Sequence, residues 1–112
     1  MDKSLRKEIY ELHARLCKAL ADPKRLLIIN ALRDGAKSVG ELTAELDLSQ
    51  SNVSQHLAVL RERGVVVPTR DGNNVFYSLE DVRVVEALDL LRGVMASQLD
   101  HRSALRPAAS GG

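Results

Sequence analysis

The segment Ser49-Gln50-Ser51-Asn52-Val53-Ser54-Gln55-His56 gathers hydroxyls, carboxamides and an imidazole into one short stretch that contains no acid. Such groups exchange hydrogen bonds with base edges: Gln and Asn pair at two points with adenine, and Ser reaches base edges or phosphates. Ser49 is also a strong N-cap candidate, which would set the segment at the electropositive start of a helix, where phosphate is favoured. A solvated capping turn on an ordinary helix accounts for the same composition, and the segment in isolation does not choose between the two. A second polar cluster, Arg70 with Asn73 and Asn74, surrounds Asp71-Gly72 and suits contact with phosphate or a minor groove. Turns favour Asp, Gly and Asn whatever their use, so only Arg70 adds independent weight.

A third group comprises Tyr10, His13 and Cys17, spaced to share one stripe of a helix. A protonated histidine one turn away would favour a redox-reactive thiolate at Cys17. The plainer reading is a small apolar residue buried in a dimer core, since free cysteine is among the most buried residue types. Cys17 is the only cysteine, so a disulfide would have to join two chains and a cysteine-based zinc site is excluded. A nitrogen and sulfur metal site made by His13 and Cys17 with His101 of a second copy is conceivable chemically, but nothing in the spacing brings His101 there. A solvent-facing His13 and a fraying helix end at His101 explain them more simply.

The elements that must position these groups follow from apolar spacing. Leu5, Ile9, Leu12, Leu16 and Leu20 mark one face of a helix over Lys3 to Leu20. Asp22-Pro23 opens a second, mostly buried helix through Leu26, Leu27, Ile29, Ala31 and Leu32, which Gly35 ends. Ser38 caps a third, with Val39, Leu42 and Leu46 inward and Glu41 and Glu45 outward. The fourth, residues 49–63, turns Val53, Leu57 and Leu60 inward and stops at Gly64. Val65 to Thr69 and Val75 to Leu79 read as the single hairpin, with its turn at Asp71-Gly72. Helical spacing returns from Asp81 to about Asp100 through Val84, Leu88, Leu91, Met95 and Leu99. The fold class is therefore mainly α with one β-hairpin, in the order α-α-α-α-β-β-α: a helix-turn-helix followed by a wing. Residues 1–101 form one DNA-binding and dimerisation domain, and 102–112 read as a disordered tail.

Leu16-Cys17-Lys18-Ala19-Leu20-Ala21-Asp22-Pro23-Lys24-Arg25-Leu26, Glu41-Leu42, Ser49 through Leu57, Arg70-Asp71-Gly72 and Tyr77-Ser78-Leu79 together closely resemble the ArsR/SmtB family of winged-helix repressors. The resemblance spans about residues 5–100; each piece is weak alone, and the set is specific. It implies a homodimer built from the first and last helices, bound to a palindromic operator and silencing transcription until an effector weakens binding. By the same resemblance, Ser49 to His56 form the recognition helix and Arg70 to Asn74 the wing tip. Many members sense metal at one of two places. Where one cluster of thiols stands, this chain has Ser38, Val39 and Gly40; at the other, on the last helix, it has Asp81, Arg83, Val94 and Ser97. Only Asp81 can coordinate, and Arg83 repels a cation, so neither metal site is expected to function.

Composition bounds the rest. With 112 residues, 45% hydrophobic and 28% charged, the chain suits one folded domain and not disorder throughout. So small a domain buries only about two-thirds of its unfolded surface, which favours a homo-oligomer. No apolar run is longer than that from Leu26 to Ile29, far short of the roughly 18 residues of a membrane span, and a cytoplasmic protein is expected. Net charge is +1, yet residues 1–37 carry nine basic and five acidic side chains while 38–47 carry three acids and no base. That segregation allows a basic surface on a nearly neutral chain. The expected partners are a double-stranded DNA operator and a second copy, with no cofactor and no metal; the effector is not specified. A winged helix kept as a protein-interaction module is the competing function, supported by the near-neutral total and the acidic third helix. A repressor that senses oxidation through Cys17 is another. No glycine-rich phosphate loop, paired acid and base or cofactor motif supports an enzyme.

Overall fold

The computed structural model describes residues 2–105 as α1 (Lys3–Leu20), α2 (Pro23–Ala31), β1 (Lys37–Ser38), α3 (Val39–Leu46), α4 (Gln50–Glu62), β2 (Val66–Asp71), β3 (Asn74–Leu79) and α5 (Arg83–Leu105). One compact unit runs through Val82, and α5 begins a second. Within the first unit each helix starts on a side chain that accepts a backbone N–H. Asp2 accepts from Ser4, Asp22 from Lys24 and Arg25, Ser38 from Glu41 and Ser49 from Asn52. At Ser38 the Glu41 carboxylate returns the bond to the Ser38 N–H, completing a capping box.

The core of this unit is made by Ile28 and Ile29 of α2, Leu42 of α3, Val53, Leu57 and Leu60 of α4, and Val66 of β2, none more than 1% exposed. The short link from α3 to α4 turns at Asp47, whose φ of +53° is left-handed, a conformation Asp tolerates better than most side chains. α4 ends at Gly64: with φ +77° it lets the Val65 N–H reach back 2.8 Å to the Leu60 carbonyl and sends the chain directly into β2.

Four expectations change. The sheet has three antiparallel strands in the order β1-β3-β2, because Lys37 and Ser38 pair with Tyr77 and Phe76; a two-residue strand is too short to show alternation. The hairpin strands extend to the Asp71–Asn74 pair, so the loop is Gly72-Asn73, with Gly72 at the φ of +64° that the first position of a two-residue hairpin loop demands. α2 is not mostly buried: Ile28, Ile29 and Ala31 face the core, while Leu26 and Leu27 are exposed, since one short helix cannot turn every side to one core. α5 continues through Leu105, past the expected end near Asp100 and into the expected tail, because residues 101–105 include no proline or glycine. The remainder of that tail, 106–112, lies outside the described residues. No helix among the described residues is long and apolar enough to cross a membrane.

Candidate nucleic-acid interface

α4 separates its two faces cleanly. Val53, Leu57 and Leu60 are buried, and on the opposite side Ser51, Ser54, Gln55 and Ala58 form an exposed stripe at three- and four-residue steps. Gln50 is exposed at the first helical position, and Asn52 and His56 are half-buried on the flanks. Ser49 Oγ accepts the Asn52 N–H at 3.1 Å, so this hydroxyl caps the helix and keeps its own proton to donate. The result is an acid-free row of donors and acceptors at the positive end of a helix dipole.

The wing follows immediately in the chain. Arg70 is exposed on β2 opposite Val75, and Asn73 is exposed in the two-residue loop. On the other flank, α3 is held by its capping box and by an ion pair from Lys37 of β1 to Glu45. Ser49, Gln50, Ser51, Asn52, Ser54, Gln55 and His56 thus share one helix and its cap, while Arg70 and Asn73 share the wing.

Arg25 is the residue that sequence reasoning missed. Its Nε donates to the Ala19 carbonyl at 2.6 Å and its Nη2 to the Lys18 carbonyl at 3.2 Å, both in the last turn of α1, where carbonyls lack intrahelical donors. Its Nη1 stands 3.4 Å from His56 Nδ1, at the long end for a hydrogen bond. The Asp22 carboxylate is held below the ordinary carboxylate range, first by the Arg25 backbone N–H and then by the Lys24 N–H, with the Arg25 charge assisting against partial desolvation. The signal available in the sequence was Arg25 three residues after the capping Asp22 and its proline.

Cys17 is exposed in the single chain, where only a second copy could cover it. The buried contact of α1 is made by Ala19, and the stripe Leu5, Ile9, Leu12 and Leu16 beside Cys17 also lies open. His13 is exposed too. Ser38 is the α3 cap, with Val39 and Gly40 the first helical residues; Val94 and Ser97 are exposed on α5. Among the described residues no group of three or more His, Cys, Asp or Glu is gathered to hold a metal ion.

The sequence pattern of the family described as bacterial regulatory proteins, arsR family, matches residues 22–67, the span of α2 through the start of β2. The HTH-type transcriptional regulator CmtR of Mycobacterium bovis is 46% identical over 99 residues, covering 88% of this chain and 84% of CmtR. A solution structure of the cadmium metal-sensor CmtR of Mycobacterium tuberculosis is 50% identical, with a TM-score of 0.60 over 70% of this chain and 81% of that one. A homodimeric winged helix-turn-helix DNA-binding domain, Mb0332 of Mycobacterium bovis, is 25% identical with a TM-score of 0.79, covering 89% of this chain and 93% of its own. With a helix-turn-helix and wing in place and a relative matched along most of its length, the chain belongs to the arsR family and is a winged-helix, DNA-binding transcription regulator, not an enzyme.

Proposed function

We propose that the chain acts in the cytoplasm as a homodimeric repressor on a palindromic operator. On this reading Gln50, Ser51, Asn52, Ser54, Gln55 and His56 present base-reading groups, with Ser49 at the helix start, while Arg70 and Asn73 hold the DNA backbone from the wing. The observation that carries it is the α4 surface: its apolar side is sealed by the chain's own core, and the exposed residues of its first two turns, Gln50, Ser51, Ser54 and Gln55, are polar and acid-free. Carboxamides and hydroxyls at a helix start match major-groove edges, and the wing guanidinium matches phosphate.

Dimerisation is supported by the apolar surface left open. On α1, Leu5, Ile9, Leu12 and Leu16 are exposed, and on α5 so are Leu90, Leu91, Val94, Met95 and Leu99. An exposed apolar stripe along a helix, as each of these two helices carries, marks an interface, and the Mb0332 relative is itself homodimeric. Two copies related by a twofold axis would address two half-sites about one DNA turn apart. We further propose regulation without the family's metal sites. CmtR of Mycobacterium tuberculosis is a cadmium metal-sensor, whereas Ser38, Val39, Gly40, Arg83, Val94 and Ser97 supply neither thiolate nor imidazole.

Selection of bound fragments from sheared genomic DNA of the source organism, at near-physiological salt and with reductant, tests the reading. A recovered palindrome is expected. Recovery of nothing above background contradicts operator binding and turns attention to a protein partner. Cadmium added to the recovered complex is expected to leave it intact; stoichiometric cadmium binding that releases DNA contradicts the metal-free part.

A further inference from the structure

Arg25 spends three of its nitrogens on three different places: the Ala19 and Lys18 carbonyls closing α1, and the ring of His56 on α4. Its own backbone N–H is held 3.1 Å from the Asp22 carboxylate, so both ends of the residue are fixed. A guanidinium in this position carries donors only and does not lose its proton. In a neutral His56 ring the nitrogen that accepts this donor is Nδ1, and the ring proton then sits on Nε2. The one ring-bearing residue of α4 is thereby left with one N–H to give, and its ring is tied to the junction of α1 and α2.

We propose that Arg25 is a positioning residue for DNA reading: it clamps the end of α1 to His56 Nδ1, setting the angle of the recognition helix and leaving His56 Nε2–H as a donor for an acceptor atom on DNA. The inference rests on the operator reading above and deepens it, since it gives His56 a different task from the exposed Ser51, Ser54 and Gln55. Those side chains read DNA by themselves; His56 reads only while Arg25 holds it. A lysine in place of Arg25 cannot reproduce the clamp, because an ammonium lacks the planar fork that reaches two carbonyls and a ring together.

The test compares affinity for the recovered operator and for a scrambled duplex. His56→Ala and Arg25→Gln are each expected to lower operator affinity about tenfold, equivalent to about 1.4 kcal/mol, with scrambled-duplex affinity changed less than about twofold. The double variant is expected to be no weaker than either single one, as for two halves of one device. His56→Gln is expected to bind the operator nearly as the wild type does, since a carboxamide keeps both an acceptor for Arg25 and an N–H for DNA. His56→Lys is expected to fail, having charge but no acceptor. Losses that multiply in the double variant, a His56→Gln as weak as His56→Ala, or rescue by His56→Lys would each overturn the clamp. Should Arg25→Gln not fold by circular dichroism, the three His56 variants decide. The DNA-free protein gives an independent answer: imidazole nitrogen NMR is expected to show the Nε2–H form of His56, with an Nδ1 resonance that moves in Arg25→Lys. A ring protonated at Nδ1 alone, or a resonance indifferent to Arg25→Lys, overturns the clamp even if no operator is found. Failure of the operator reading would show instead as a wild-type protein without preference for any sequence.

Discussion

α1 and α4 are both amphipathic helices, and they resolve their apolar faces in opposite ways. On α4, Val53, Leu57 and Leu60 are at most 1% exposed; on α1, Leu5, Ile9, Leu12 and Leu16 are 38–52% exposed. A helical period therefore shows that a helix has an apolar face, not what covers it. α4 is complete within the chain, so its surplus is polar and its partner is one that hydrogen bonds are made to recognise. α1 is incomplete within the chain, so its surplus is apolar and its cover, on the proposed reading, is a second copy.

The strongest way to break this comparison is to remove equal volume from both helices. Leu57→Ala is expected to destabilise the fold by about 2–5 kcal/mol in urea unfolding, since nothing collapses easily around a sealed site. Leu12→Ala, measured at concentrations low enough to keep the chain monomeric, is expected to cost less than about 1 kcal/mol. Equal losses would mean that α1 is covered by its own chain. A charge sharpens the same contrast. Leu12→Glu is expected to leave helix content unchanged while raising the dimer dissociation constant by about 100-fold or more, because the carboxylate must be desolvated without a partner. Sedimentation equilibrium reads this directly, and an unchanged dimer would remove α1 from the interface.

Smaller effects separate the wing from the α4 face. Arg70→Ala is expected to weaken operator and random-sequence DNA alike, by about 1 kcal/mol, and to reduce the salt slope of binding by about one. A loss confined to the operator would make Arg70 a base reader instead. The smallest effect concerns the junction that supports α4. Because the folded Asp22 carboxyl lies below its ordinary range, its charged form contributes stability that is complete at neutral pH and is lost as pH falls below about 4. Wild type is therefore expected to be more stable than Asp22→Asn at pH 7 and to lose that advantage on acidification. A constant difference across the titration would show that the charge at the α2 start contributes nothing.

What could be read from the sequence was what is local. Ser38 and Ser49 cap their helices and Gly64 ends α4 because each acts within a few residues of itself, and the polar run from Ser49 to His56 was visible as composition. β1 was not legible, since Lys37 and Ser38 become a strand only when Tyr77 and Phe76 are brought alongside. The Arg25 contact to His56 joins residues far apart in the chain and has no periodic signature. Exposure of Leu26 and Leu27 was equally hidden: apolar character states what a side chain prefers, and the packing of neighbouring elements decides whether it is met.

Substitution of Gln55, the exposed carboxamide in the middle of the α4 polar stripe, tests the central claim most directly. Gln55→Ala, titrated on the recovered operator and on a scrambled duplex at two salt concentrations, is expected to lose about 1–3 kcal/mol on the operator alone, with the salt slope unchanged. An equal loss on both duplexes would contradict base reading by α4 and reduce this helix to a contact with the DNA backbone.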